Sequence, residues 1–156
     1  MKSFFFDCGT RDATASLGIL FLRVMTGMMM LAGHGVAKIE NFGKMKSMFP
    51  VPDFFPLHYM NSQTSLIACI AAEVGAAALI VLGVATRPAA FMLGFTMVVA
   101  AFHTHHGAPW FMGPGVESSK EPALLYLVPM IAIILTGAGA YSIDAAIHKE
   151  GKRRRW

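Results

Sequence analysis

Two opposite charges lie within apolar stretches of this chain, Arg23 in residues 15–33 and Glu73 in residues 66–85. Each stretch has about 20 residues, and a helix of that length spans roughly 30 Å, the thickness of a bilayer's hydrocarbon core. A charge at that depth costs at least about 2.5–3.5 kcal/mol on insertion scales, so it faces protein or water rather than lipid. Helical counting puts Arg23 and Glu73 at similar depths. We therefore predict that they form an ion pair between the first and second apolar helices.

Two interpretations of this pair stay open. In the first, the pair is structural and fixes the register of two helices. In the second, the two charges form the wall of a ligand pocket or part of a proton route. The interpretations are compatible, because a buried pair can also border a polar chamber.

The histidines form a second candidate group. His34 follows the first apolar stretch, and His103, His105 and His106 end the third. Imidazoles titrate near neutral pH and bind zinc, copper or haem iron. Three interpretations stay open: interfacial polar side chains without a ligand, part of a pocket for a quinone or other small molecule, or a metal or haem site. The H-T-H-H run has no standard metal spacing, so His103, His105 and His106 are weak metal candidates.

Glu121 and Tyr126 begin the fourth apolar stretch at the level of the histidines. Glu121 is interpreted either as a carboxylate that stabilises a helix N-terminus or as a partner that orients a histidine. We predict that His34, His103, Glu121 and Tyr126 line a polar chamber that opens toward the outer face of the membrane.

The elements that position these residues are predicted to be four membrane-spanning helices. The chain of 156 residues is 55% hydrophobic and 14% charged, whereas soluble domains have about 45–50% apolar and 25% charged residues. The apolar and basic residues of 42–49 predict a short interfacial helix between the first two spans. We predict an all-α fold, a four-helix transmembrane bundle with spans at residues 15–33, 66–85, 89–102 and 122–140.

The basic residues predict the orientation of this bundle. Four spans put both termini on one side, which carries eight Lys and Arg residues, against four on the other. Because basic residues accumulate on the cytoplasmic side, both termini are predicted to be cytoplasmic. The chain is predicted to consist of a cytoplasmic N-terminal segment at 1–14, a membrane domain at 15–145 and a basic cytoplasmic tail at 146–156. Beside an apolar segment, such a tail indicates anionic lipid rather than nucleic acid as its partner.

The sequence carries no self-contained catalytic motif. A Walker-type loop, GxSxG, HExxH and the dinucleotide fingerprint are all absent. The two cysteines, Cys8 and Cys69, lie far apart and form no CxxC, so neither a disulfide framework nor a thiol-redox centre is expected. In any redox reaction, the electrons would need a partner subunit or a lipid-soluble carrier.

The pattern resembles the DoxX family of small bacterial membrane proteins over residues 15–144. The matching pieces are Arg23-x-x-x-Gly27, His34-Gly35-x-x-Lys38, Glu73-x-Gly75, Gly83-x-x-Thr86-Arg87, Glu121 with Leu124 and Tyr126, and Tyr141-Ser-Ile-Asp144. This resemblance implies a four-helix, multi-pass protein of the bacterial inner membrane. It also implies a redox association, because the family takes its name from subunits linked to thiosulfate:quinone oxidoreduction.

Our leading hypothesis is a membrane component of a redox system with an intramembrane polar pocket for a quinone-like molecule. Arg23 and Glu73 would set the electric field there, and His34 or His103 would exchange protons. One alternative is a non-catalytic assembly or docking subunit of a membrane complex. Another is a membrane protein that binds a metal or haem through histidine.

Overall fold

The computed structural model describes residues 9–10 and 12–147, and its regular structure there is entirely helical. The prediction of an all-α fold is confirmed. The predicted N-terminal segment lies mostly outside the described residues, as does the predicted basic tail from residue 148 onward.

The first long helix, α1, runs through Ala13–Glu40. It begins where the Asp12 carboxylate accepts a hydrogen bond from the Ala15 N–H at 2.7 Å, which satisfies a donor that the helix leaves free. The predicted first span ends at Gly33. The helix instead continues through a π segment, Leu31–Gly35, and one further turn, Val36–Glu40. A π segment carries one extra residue per turn and is often found at functional sites.

The second and third long helices are joined by a tight turn. Helix α2, Ser62–Leu82, contains a π segment at Ala71–Ala76 and ends at Gly83, whose φ of 73° is left-handed. Ala85 is also left-handed, with φ 44°, and α3 begins directly after it. Helix α3 consists of Thr86–Val99 and a terminal π segment, Ala100–Thr104. The two helices therefore run antiparallel.

The fourth long helix, α4, runs through Glu121–Thr136 and contains Pro129. It ends before the predicted boundary at residue 140, because Gly137 and Gly139 both adopt positive φ and break the helix. Between α1 and α2, a short helix at Phe42–Met45 occupies part of the predicted interfacial segment, and a 3₁₀ turn follows at Leu57–Tyr59.

The four long helices pack as a bundle in which each contacts the next in sequence and α1 also contacts α4. Small residues bring the helices close together at the centre. The largest buried apolar cluster is formed by Met30, Ala76, Ala77, Ile80, Ala89, Ala90, Leu93, Met97, Ala101, Ala123, Met130 and Ile133. The outer surface of the bundle is also apolar, with Phe21, Phe91, Leu125 and Leu135 each more than 60% exposed.

Two of the described helices are long and apolar enough to cross a membrane by length and composition. These are Ala13–Glu40 and Ser62–Leu82. Helix α4 is also apolar but shorter, at 16 residues.

We predict that Gly27→Ala destabilises the bundle, because a Cβ at position 27 would overlap the Val81 side chain and lie 3.1 Å from the Ala77 carbonyl oxygen. Overpacking of this kind costs about 1–3 kcal/mol. The matched control is Gly18→Ala on the same helix, where a new Cβ meets nothing within 4 Å. Thermal unfolding in detergent should show a lowered midpoint for Gly27→Ala, and an unchanged or raised one for Gly18→Ala. Equal midpoints for the two variants would contradict the close approach of α1 and α2.

Candidate functional site

Glu73 lies in the π segment of α2 and is 5% exposed. The Lys38 Nζ donates to Glu73 Oε2 at 2.5 Å, and the Cys69 Sγ–H donates to Glu73 Oε1 at 3.4 Å. Lys38 reaches this carboxylate because α1 continues past Gly35. Gly35 in turn lets the helices approach, since a Cβ there would lie 2.7 Å from a methyl group of Val74. The buried carboxylate therefore takes its positive partner from the last turn of α1.

The predicted Arg23–Glu73 ion pair is wrong. Arg23 is fully buried, and its guanidinium donates to the Ile80 carbonyl oxygen at 3.3 Å and to the Tyr141 carbonyl oxygen at 2.8 Å. Since Gly35 lies beside Glu73, the carboxylate is level with a residue 12 positions beyond Arg23, which corresponds to about 18 Å along the helix. The predicted depth of Arg23 was measured from His34, whereas α1 continues to Glu40, about 9 Å farther, which accounts for about half of this separation.

Asp144 is the acidic neighbour of Arg23. It is 4% exposed, and its carboxylate accepts from the Ala85 N–H and the Thr86 N–H at 2.9 Å and from the Thr86 hydroxyl at 2.8 Å. Its own N–H donates to the Gly83 carbonyl at 2.9 Å. A carboxylate at this place satisfies free donors at the N-terminus of α3 and interacts favourably with the helix dipole. Arg23 therefore belongs to a structural cluster at the α2–α3 turn.

The Glu73–Lys38 pair borders a cavity of about 350 Å³, which we call the Glu73 cavity. Its volume falls within the range of about 300–1,000 Å³ that is usual for small-molecule sites. Apolar side chains dominate its walls, and two of its polar side chains, Lys38 and Cys69, donate to Glu73. The lining residues outside the 49–60 loop are Lys38, Ser65, Ala68, Cys69, Ala72, Glu73, Phe91, Met92, Phe95, Thr96, Val99, Ala100, Thr104 and His105.

The proline-rich loop at 49–60 forms the rest of this wall through Phe49, Pro50, Pro52, Leu57 and Met60. Two hydroxyls at the start of α2 hold it: Ser62 Oγ donates to the Phe49 carbonyl at 2.8 Å and Ser65 Oγ to the Pro50 carbonyl at 2.7 Å. The loop thus closes one end of the Glu73 cavity.

His103 attaches the same loop to α3. Its Nε2 accepts from the Asp53 N–H at 3.2 Å and lies 3.1 Å from Asp53 Oδ1, and its ring meets Phe54 edge to face. His103 does not line the Glu73 cavity, although its neighbour His105 does. The structure thus places His103 as a contact between loop and helix.

The other predicted pocket residues meet in a second cavity of about 540 Å³, between α1 and α4, which we call the Glu121 cavity. The rings of His34 and Tyr126 pack edge to face, with centroids 5.3 Å apart. Glu121 Oε2 accepts from the Met112 N–H at 2.7 Å. Of the four residues predicted to line one chamber, His34, Glu121 and Tyr126 share this cavity, whereas His103 does not line it. Glu73 lines the other cavity.

The histidine run does not assemble metal ligands. His105 and His106 border a further surface cavity, and His103 turns toward Asp53. Within residues 9–10 and 12–147, no group of three or more His, Cys, Asp or Glu side chains is placed to hold a metal ion.

The family can now be assigned. The family model described as DoxX matches residues 18–106, which is more than half of the chain. The chain belongs to the DoxX family. The predicted family resemblance is thereby confirmed, and the matched residues hold the motifs from Arg23 to Arg87. This membership makes the protein a small membrane protein in contact with lipid.

One relative shows how widely the similarity extends. The chain is 29% identical to an uncharacterised protein of Haemophilus influenzae over 132 residues, covering 85% of this chain and 92% of that protein. No solved structure matches the chain.

We predict that Lys38→Met destabilises the protein more than Glu73→Gln does. Lys38→Met leaves a buried carboxylate without its cation, and breaking a buried pair in this way costs about 3–5 kcal/mol. In Glu73→Gln, the lysine side chain, already 20% exposed, can extend its ammonium toward water. Thermal midpoints of the purified variants in detergent measure the difference.

The double variant Lys38→Met with Glu73→Gln should recover much of the thermal stability that Lys38→Met alone loses. The matched control combines Arg23→Gln with Glu73→Gln, and no recovery is expected there because the two residues do not touch. Recovery in the control but not in the Lys38 double variant would contradict the observed pairing.

Proposed function

We propose that this DoxX protein binds a quinone-like molecule in the Glu73 cavity as the membrane component of a redox system. The observation that carries the proposal is the Lys38–Glu73 pair at the polar end of an otherwise apolar cavity. A quinone has the complementary form, with two carbonyl oxygens on a ring and an apolar tail. Apolar walls with a few convergent polar groups are the usual composition of a small-molecule site.

The polar end of the cavity offers the hydrogen-bonding groups that a quinone requires. A lysine ammonium has three N–H donors, and Glu73 takes one of those of Lys38. The remaining donors can bind a quinone carbonyl oxygen. The Glu73 carboxylate can accept a proton from the hydroxyl of the reduced form. The pair thus recognises both forms of the ring without carrying electrons itself, and the electrons come from a partner subunit.

The apolar end of the cavity fits the tail of such a molecule. Phe91, Phe95 and Val99 are spaced four residues apart, so they lie along one face of α3. Phe91 is 64% exposed and Phe95 43% exposed on the outer surface of the bundle. A tail that leaves the cavity along this face enters the lipid, where lipid-soluble quinones are dissolved.

The proposal includes four membrane-spanning helices in the bacterial inner membrane, with both termini in the cytoplasm. The support is the apolar surface of the bundle, its two long apolar helices and the excess of basic residues on the terminal side. In this arrangement, the outer face carries the loops at 46–61 and 105–120. The polar end of each cavity lies on the same side.

We expect a fusion of alkaline phosphatase after residue 156 to be inactive in cells and a fusion of green fluorescent protein there to fluoresce. The physical reason is that phosphatase folds only outside the cytoplasm, whereas the fluorescent protein matures inside it. A phosphatase inserted after Gly113, in the loop between α3 and α4, should be active. The opposite pattern would refute the proposed orientation.

We expect the purified protein to bind decylubiquinone and Ala68→Phe to abolish that binding. Ala68 is exposed within the Glu73 cavity, so a phenyl group there occupies the ligand's space without disturbing a helix contact. The matched control is Ala71→Phe, an exposed residue on the same helix that does not line the cavity. Isothermal titration calorimetry in detergent measures both variants.

Glu73→Gln is expected to weaken binding of the reduced form, decylubiquinol, about tenfold or more, since a hydrogen bond to a charged group contributes about 1.5–3 kcal/mol. Equal affinity of Ala68→Phe and Ala71→Phe would place any binding outside the Glu73 cavity. No heat of binding with the wild-type protein, and no quinone in an organic extract of it, would refute the proposal. That result would favour the assembly or docking subunit.

A further inference from the structure

The Glu121 cavity shares no lining residue with the proposed quinone site and has a different chemical character. Its lining residues are Thr26, Met29, His34, Met112, Glu121, Pro122, Leu125, Tyr126 and Pro129. Among these described residues, Glu121 is the carboxylate and there is no lysine or arginine. The Glu73 cavity, in contrast, pairs its carboxylate with Lys38.

Several groups at this cavity can accept a hydrogen bond from a ligand. Glu121 Oε2 is occupied by the Met112 N–H, so the second oxygen, Oε1, remains to accept from a ligand. The Thr26 hydroxyl already donates its proton to the Leu22 carbonyl at 2.6 Å and can only accept from a ligand. Pro129 has no N–H, so the helix cannot supply the usual donor to the Leu125 carbonyl. The Tyr126 hydroxyl and the His34 ring N–H are donors on the same cavity. A ligand that brings its own donors fits the acceptors.

The aromatic ring of Tyr126 adds a preference for positive charge. The face of an aromatic ring attracts an ammonium group, and Tyr126 lines the cavity together with Glu121. A carboxylate and an aromatic ring on one cavity are complementary to an organic cation. His34 packs edge to face against Tyr126.

The apolar part of the cavity indicates that the cation carries a tail. Met29 and Leu125 line the cavity and are 57% and 65% exposed on the outer surface of the bundle. In a membrane this surface meets lipid, so the cavity opens sideways to the acyl chains. A small hydrophilic cation would leave this apolar mouth uncovered.

We propose that the Glu121 cavity binds the ammonium group of an amphipathic amine, with Glu121 as the counter-ion and the apolar tail lying over Met29 and Leu125. Two sources share this chemistry: the headgroup of an amino-phospholipid and a free long-chain amine. The proposal does not depend on quinone binding, because the two cavities have no lining residue in common.

The first test compares dodecylamine with dodecanol, which has the same tail without the charge, by isothermal titration calorimetry in a non-ionic detergent at neutral pH. We expect the wild-type protein to bind the amine more tightly than the alcohol. Glu121→Gln should weaken amine binding about tenfold and leave alcohol binding unchanged, because the amide still accepts from the Met112 N–H but loses the charge. The matched control, Glu117→Gln, changes an exposed carboxylate outside this cavity and should have no effect.

A second pair of variants keeps the test independent of Glu121. Met29→Trp fills the cavity from its exposed side and should abolish amine binding, whereas Met28→Trp changes a similarly exposed neighbour that does not line the cavity. Equal affinity for amine and alcohol in the wild-type protein, or equal amine affinity in these two variants, would overturn the proposal.

Native mass spectrometry of protein released from nanodiscs distinguishes the two sources. Retention of phosphatidylethanolamine over phosphatidylglycerol, lost in Met29→Trp, would identify a lipid headgroup as the ligand. Amine binding without such retention would identify free long-chain amines. Decylubiquinone binding should be unchanged in Met29→Trp, so failure of this proposal is distinguishable from failure of the quinone proposal.

Discussion

The structure depends on one constraint: a charge inside an apolar helical bundle needs a partner within hydrogen-bonding distance. The cost of an unpaired ion away from water is several kcal/mol, comparable to the whole stability of a small domain, about 5–15 kcal/mol. Among the described residues, Lys38 and Glu73 meet this constraint at one level of the bundle. At another level, two backbone carbonyls accept hydrogen bonds from Arg23, and Asp144 interacts with it electrostatically.

The separation of the charges decides what each cluster can do. Arg23 is fully buried and contacts main-chain carbonyls, so its part is to hold α1 against α2 and the 137–147 segment. The Lys38–Glu73 pair borders a cavity and keeps donors available for a ligand. The π segments reinforce this division, because three of the four long helices carry one, and these hold His34, Glu73 and His103. Local widening of the helices thus coincides with the level at which the polar side chains gather.

Much of the fold was predictable from the sequence because hydropathy is a local property. The four apolar stretches correspond to the four long helices, and the motifs from Arg23 to Asp144 identified the family. The partner of Glu73 was not predictable by counting, because the register of two antiparallel helices depends on where α1 ends. A helix end shifted from Gly33 to Glu40 displaces the inferred register by about 10 Å. The π segments have no clear sequence signature, which also left the division into two cavities unforeseen.

The contacts of one sequence motif depend on the three-dimensional structure. Tyr141-Ser-Ile-Asp144 was recognised as a family motif, yet its function as a cap for the distant α2–α3 turn follows only from long-range contacts. The loop at 49–60 is a similar case. Its proline content indicated irregular structure, but the hydroxyls of Ser62 and Ser65 that close it over a cavity are seen only in three dimensions.

The contact between Arg23 and the Tyr141 carbonyl has a consequence for biogenesis. A ribosome makes about 5–20 residues per second, so Tyr141 appears on the order of ten seconds after Arg23. Throughout that interval the guanidinium of the first helix lacks one of its acceptors, and the turn before α3 lacks Asp144. The contacts around Arg23 are therefore completed only after the fourth helix has been synthesised.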